Sequence, residues 1–190
     1  MTEDTFSIPV VETERLILRG HRAEDAPHSY ALWAHETTQR FIGAMTSSPG
    51  DAWLRMLRYP GLWAIMGFGY WAVTEKDGGR FVGECGFADF CRDITPSIRG
   101  LPELGYAIIP DAHGKGYATE AVLGAQAWID RARPGERCVA IINPDNTASI
   151  GVARKAGYTV WQDTEFGGKP VRLFERRQIR TALPACEGGR

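Results

Sequence analysis

Apolar positions recur along this chain in two rhythms. Short runs rich in branched and aromatic residues read as strands at Tyr70 to Thr74, Phe81 to Phe90, Glu103 to Ile109, Cys138 to Ile142, Thr159 to Asp163 and Lys169 to Arg176. The other rhythm is helical. Tyr117 to Arg131 places Ala118, Val122, Ala125 and Ile129 on one face. Ala23 to His35 reads as a helix with Glu24 and Asp25 in its first turn. Asp51 to Arg58 reads as a short helix capped by Asp51, and Thr147 to Ala156 as a further helix. Glycine pairs mark hairpins at Lys76 to Gly79 and at Gly167-Gly168. Gly43 to Gly50 and Pro60 to Gly69 read as loops, and Arg92 to Gly100 as a polar connection. The pattern predicts one α/β (α+β) domain over residues 1–180 and a flexible tail over 181–190.

The most informative element runs from Leu101 to Ala121. A buried strand carrying Glu103 leads through Gly114 and Gly116 into the start of the long helix. Backbone N–H groups at a helix start, with the positive end of its dipole, form an anion site suited to phosphate. Three phosphate-binding patterns compete. The dinucleotide fingerprint needs a third glycine, where Thr119 stands; the P-loop needs its Lys after both glycines, whereas Lys115 lies between them. The acetyl-CoA turn, Q/R-x-x-G-x-G/A, fits Asp111-Ala-His-Gly114-Lys-Gly116 except that Asp111 replaces Gln or Arg. An ordinary strand–turn–helix corner explains the glycines alone about as well.

A second segment shifts that balance. The strand ending at Ile142 is followed by Asn146, Ser149, Lys155, Gly157 and Tyr158, with a helix between. Asn146 can cap that helix, Ser149 lies in its first turn, Lys155 suits its negative end and Gly157 suits its C-terminal cap. In this order and spacing the two motifs resemble the GNAT acetyltransferases, in particular the ribosomal-protein N-terminal acetyltransferases of the Rim type. Thr13 to Arg19 looks like the first strand of that branch, and the resemblance runs from about Thr13 to Arg177.

The resemblance implies a central twisted mixed sheet, mostly antiparallel, of about seven strands with about four helices, splayed where acetyl-CoA binds. It implies that Ile108 and Ile109 pair with pantetheine amides through their backbone. His113, Gly114, Lys115, Gly116, Tyr117 and Ala118 would cradle the pyrophosphate, and Asn146 would contact the pantetheine arm. Lys115 and Lys155 would neutralise phosphate. The reaction would move an acetyl group to a primary amine by direct attack in a ternary complex.

Such a transfer needs a base for the amine and relief of charge on the leaving thiolate. Glu103 is the candidate base, through water or directly, with capping of the strand edge near Arg99 as its structural alternative and Glu84 on the neighbouring strand as rival. The family often places a tyrosine seven residues after the helix asparagine, but Ala153 stands there. Ser149, as in Rim-type enzymes, is then the candidate to bond the CoA sulfur; packing beside the pantetheine explains it equally well. The acceptor is expected on the side of the N-terminal helices, where Trp33, Phe41, Trp63, Phe68 and Trp71 are concentrated. Trp33, Trp71 and Glu84 are the candidate acceptor contacts. A protein N-terminus, a free amino acid or polyamine, and an amino-bearing antibiotic remain open as acceptors. A non-catalytic acyl-CoA sensor or assembly module is the alternative.

Composition narrows the rest. The chain has 190 residues, with 22 basic and 23 acidic side chains. No general field attracts nucleic acid or an anionic membrane, no apolar run spans a bilayer, and the acidic start lacks a signal-peptide core. Cytoplasm is the default location, and monomer and homodimer are both open. Four cysteines show no C-x-x-C spacing, and no metal is expected. Cys85 and Cys138 read as buried, and His28 and His35 as partly exposed helix residues.

Overall fold

The computed structural model describes residues 7–42 and 48–177. The expected tail over 181–190, with Cys186, and residues 43–47 of the expected loop lie outside the described residues. One sheet holds β1 (Val11–Glu12), β2 (Leu16–Arg19), β3 (Tyr70–Glu75), β4 (Phe81–Ala88), β5 (Glu103–Ile108), β6 (Arg137–Ile142), β8 (Lys169–Arg177) and β7 (Thr159–Phe166), in that order across it. All neighbours are antiparallel except β5 and β6. The mixed, mostly antiparallel sheet is as expected, with one strand more. The additional β1 spans two residues, too short to show an alternating pattern.

Among the described residues five α-helices cover the sheet: α1 (Ala26–Ala34), α2 (Glu36–Ile42), α3 (Pro49–Met66), α4 (Tyr117–Ala132) and α5 (Thr147–Lys155). Ala121, Val122, Ala125 and Ile129 of α4 pack in one cluster with Leu104 and Ile108 of β5 and Ile150 and Ala153 of α5. On the opposite face, Leu32 and Trp33 of α1 pack on Ala72, Phe81 and Ala107, while Met56 and Tyr59 of α3 pack on Tyr70 and Ala88. Each buried leucine, isoleucine, valine, methionine or phenylalanine among these contributes about 1.5–3 kcal/mol of transfer free energy.

The helix expected over Ala23 to His35 is found as a 3-10 turn, Ala23–Asp25, running into α1, and the extended backbone of His35 ends it; α2 then follows as a helix that was not expected. Two local expectations need correction. The short helix expected at Asp51 to Arg58 is much longer. Ser48, not Asp51, caps it and accepts the Asp51 N–H at 3.2 Å. It runs through Pro60 to a left-handed Gly67, so the loop expected from Pro60 starts seven residues late. An interior proline costs about 3 kcal/mol. Here Ala52, Met56, Tyr59 and Trp63 bury one continuous face on both sides of Pro60, which offsets that cost. Finally, the connection over Arg92 to Gly100 is anchored rather than merely polar, because Ile94 and Ile98 are buried against Val139 and Leu173.

Register places the candidate chemistry. Cα partners Glu84 with Ala107, Gly86 with Gly105 and Ala88 with Glu103 put both glutamates on the face covered by α1 and α3. Cys85 pairs with Tyr106 on the face covered by α4 and α5.

Candidate active site

The parallel pair β5 and β6 meets at a single register position, Glu103 with Val139, reinforced by the Val139 N–H donating to Pro102 O at 3.0 Å. Beyond it the strands diverge. The backbone of Ala107 and Ile109 alternates toward β4, where the Ile109 N–H donates to Val82 O at 2.9 Å. Tyr106 and Ile108 therefore turn their backbone groups toward the gap. The Ile109 carbonyl accepts the Ala112 N–H at 2.9 Å, so both backbone groups of Ile109 are engaged within the protein. The Ile108 carbonyl accepts from His113 Nε2 at 2.8 Å. Of the two isoleucines expected to pair with a ligand, only Ile108 presents its backbone to the gap.

Two helix starts flank the gap's open end. At the first, Gly114 and Gly116 have φ of 75° and 80°, a left-handed conformation that favours glycine. They fold the chain from the 3-10 turn at Pro110–Ala112 into α4. The first bond of that helix runs from Glu120 N–H to Gly116 O at 3.1 Å, leaving the N–H groups of Tyr117 and Ala118 outside the helical ladder. Nothing lies within 4 Å of where a Gly114 side chain would begin. Arg15 secures the turn from β2's side: Nη1 donates to Lys115 O at 2.9 Å, and Nε donates to Glu120 Oε2 at 2.7 Å. Thr13 adds a bond to Glu120 Oε1 at 2.6 Å. Glu120 and Arg15 brace this turn, a pairing the sequence reading did not assign; the acidic residue in the first turn of α4 was the available signal.

At the second helix start, Asn146 Oδ1 accepts the Ser149 N–H at 3.0 Å, a side-chain cap. Ser149 Oγ is reached across the gap by Tyr106, whose hydroxyl donates to it at 3.0 Å. Burial pushes the Tyr106 hydroxyl up to about 12, with Ser149 partly opposing that shift. Tyr106 was not singled out from sequence because its strand position alone reads as core.

The opposite face of the sheet holds the two glutamates. Glu103 is 6% exposed and accepts Arg92 Nε at 2.6 Å and Arg92 Nη2 at 2.9 Å. Burial outweighs the guanidinium and leaves its carboxyl above the usual value. The Arg92 guanidinium lies 4.9 Å from the ring centres of both Phe90 and Phe166. Glu84 is fully buried and accepts from Ser29 Oγ at 2.7 Å, Trp33 Nε1 at 2.8 Å and Tyr59 OH at 2.6 Å. His21 Nε2 lies 3.4 Å away. Burial alone disfavours the carboxylate, but His21 with Ser29 and Tyr59 holds Glu84 down at about 2.

This geometry separates the expected acceptor contacts. Trp33 is buried with its N–H on Glu84 and its ring under Arg55, 3.6 Å away. Trp71 is fully buried on the other face, edge-on to Trp63 and Trp128 at 4.7 and 5.3 Å, with Nε1 donating to Pro9 O. It belongs to the core rather than to an acceptor surface, because alternation along β3 sends it to the α4 side. Lys155 is also displaced from its expected role. It sits at the end of α5 in a shallow groove with Asp130 and Arg176, beside the last turn of α4. The Gly114 turn is at the first turn of that helix, so Lys115 is near it and Lys155 is not.

Cys85 and Cys138 are buried and their thiols are pushed upward by burial, while Cys91 is exposed. His28 stacks on Phe81. Among the described residues no cluster of side chains could hold a metal ion, and no helix is long and apolar enough to cross a membrane.

A model of the acetyltransferase (GNAT) domain matches residues 15–159. YkkB of Bacillus subtilis is 30% identical over 113 residues, 58% of this chain, and the match spans 62% of YkkB, under two thirds of its length. A solved structure of a Bordetella pertussis protein of the GNAT acetyltransferase family has a TM-score of 0.79 at 27% identity, covering 89% of this chain and 99% of that one. RimL, solved as a ribosomal L7/L12 α-N-protein acetyltransferase with coenzyme A, shares the fold with a TM-score of 0.69 at 16% identity, covering 89% of this chain and 98% of its own. The strand gap, the glycine turn and both flanking helix starts fall inside the span of the matched domain, and the chain belongs to the GNAT acetyltransferase family.

Proposed function

We propose that this protein transfers the acetyl group of acetyl-CoA to a primary amine, a protein N-terminus or a small-molecule amine, by direct attack in a ternary complex. The observation that carries this reading is the gap between β5 and β6, with a helix start on either side. Coenzyme A in the RimL structure supports the choice of cofactor.

Pyrophosphate fits the Gly114 to Ala118 turn, where backbone N–H groups and the dipole of α4 favour negative charge and Lys115 adds a cation. The pantetheine then lies along the backbone of Tyr106 and Ile108 as an added strand, past Asn146. The thioester comes to rest near the point where the strands meet. From the α1 and α3 face the amine attacks the carbonyl carbon. A C–N bond forms and the C–S bond breaks; the nitrogen sheds a proton and sulfur gains one. Glu103 lies on that face at the meeting point and serves as base through water. Ser149 lies on the other side and bonds the departing sulfur, whose thiol pKa is about 8.5. Glu84 is fully buried under three donors from α1 and α3 and is held low, so its part is to hold those helices on the sheet, whereas Glu103 meets Arg92 alone and is pushed up by burial.

The test is acetyl-CoA-dependent thiol release across a panel of amines and short N-terminal peptides. Acceptor-stimulated release is expected. Cofactor binding without stimulated release from any member would favour a sensor instead, and absence of binding would refute the reading of the Gly114 turn.

A further inference from the structure

Two hydroxyls 3.0 Å apart share one hydrogen, and chemistry decides which one gives it. A phenol is a far stronger acid than an aliphatic alcohol, so tyrosine is the better donor. Burial keeps the Tyr106 hydroxyl protonated throughout the working pH range. Its ring is packed against the core on the α4 and α5 face of β5, so the hydroxyl is held in place. Ser149 is fixed independently by the Asn146 cap on its N–H. With its oxygen accepting from Tyr106, the hydrogen of Ser149 is turned away from the tyrosine.

We propose that Tyr106 is a positioning residue for thiolate departure: its bond across the β5 and β6 gap commits Ser149 to donate to the CoA sulfur. This rests on the placement of the sulfur beside Ser149 proposed above. No proton leaves Tyr106. Its bond polarises the Ser149 hydroxyl, and that hydroxyl stabilises sulfur negative charge as the C–S bond breaks. The absent tyrosine at position 153 is thereby replaced by a pair, one hydroxyl on β5 and one on α5.

The test uses the full chain with coenzyme A alone, so it needs no knowledge of the acceptor. The thiol pKa of bound coenzyme A is read from thiolate ultraviolet absorbance against pH. In the wild type it should lie below that of free coenzyme A. Tyr106→Phe should raise it by about 0.5 to 1 unit, the worth of one hydrogen bond. Ser149→Ala should raise it at least as much, and adding Tyr106→Phe to Ser149→Ala should change nothing further. Tyr106→Met, which fills similar space without a hydroxyl, carries the same prediction if the phenylalanine variant does not fold. If Tyr106→Phe leaves the thiol at its wild-type value while Ser149→Ala raises it, the role of Tyr106 is refuted and that of Ser149 stands. A Tyr106→Phe shift of equal size in both backgrounds also refutes it, because the tyrosine would then act without the serine. If neither variant moves the thiol, the sulfur is not beside Ser149, and the parent reading fails together with this one.

Discussion

Arg92 grips both carboxylate oxygens of Glu103, with Nε on Oε2 at 2.6 Å and Nη2 on Oε1 at 2.9 Å. The pair ties the chain after β4 to the first residue of β5, beside the point where the parallel strands meet. A base in this position must work with a cation beside it, against the burial that raises its pKa. Glu103→Gln should lower kcat by about 100-fold or more, the usual worth of a general base, while acetyl-CoA affinity stays near the wild-type value. Steady-state kinetics with a separate cofactor titration reads both. Full turnover in this variant would remove Glu103 from the chemistry and leave the pair as a tether.

Glu84 is the structural counterpart. Replacing it with Gln leaves the shape but removes the charge that His21, Ser29, Trp33 and Tyr59 surround. Leaving these buried donors without their charged acceptor costs about 1–3 kcal/mol, measurable by urea unfolding.

The same residue sets an acid limit. Its folded pKa of about 2 lies below the ordinary 4.5, so its stabilisation is complete above pH 4.5 and is lost as pH falls through 2. Stability of Glu84→Gln should therefore fall less steeply than that of the wild type across this range. Asp25, held low by Arg19, keeps part of the slope in both proteins. Identical slopes would mean that Glu84 titrates over the same pH range in the folded and unfolded protein.

Gly105 has no room for a side chain. A Cβ there would clash with the Tyr70 hydroxyl. Gly105→Ala must displace that ring, which is stacked on Tyr59 at 5.1 Å, and should destabilise by about 1–3 kcal/mol. Thermal unfolding at several denaturant concentrations would show it; a variant as stable as the wild type would mean that Tyr70 moves freely.

The two lysines once paired by motif should behave differently. Lys115→Ala should weaken CoA binding by about threefold, and more at low salt, as for an exposed charge near phosphate. Lys155→Ala should leave binding unchanged, because it lies at the other end of α4. Calorimetric titration at two salt concentrations separates them, and equal losses would contradict the placement of pyrophosphate at the Gly114 turn.

Much of this molecule was legible in the chain itself. The branched and aromatic run of Tyr70 to Thr74 and the 3.6-residue spacing of Ala118, Val122, Ala125 and Ile129 are local properties that survive folding, and glycines 114 and 116 announce a left-handed turn wherever they stand. Where local signals conflicted, tertiary packing won. Pro60 reads as a breaker, yet the buried face from Ala52 to Trp63 carries α3 through it. Trp33 and Trp71 look alike in sequence but go to opposite faces of the sheet.

Backbone propensity and spacing act over a few residues, so the elements, the glycine turn and the order of the two motifs can be read along the chain. Partners cannot: Arg92 meets Glu103, Ser29, Trp33 and Tyr59 meet Glu84, Tyr106 meets Ser149, and Lys155 lies at the far end of α4 from the Gly114 turn. Those pairings depend on sheet register and helix direction, which are set by global burial of apolar surface and are invisible to any short stretch of chain.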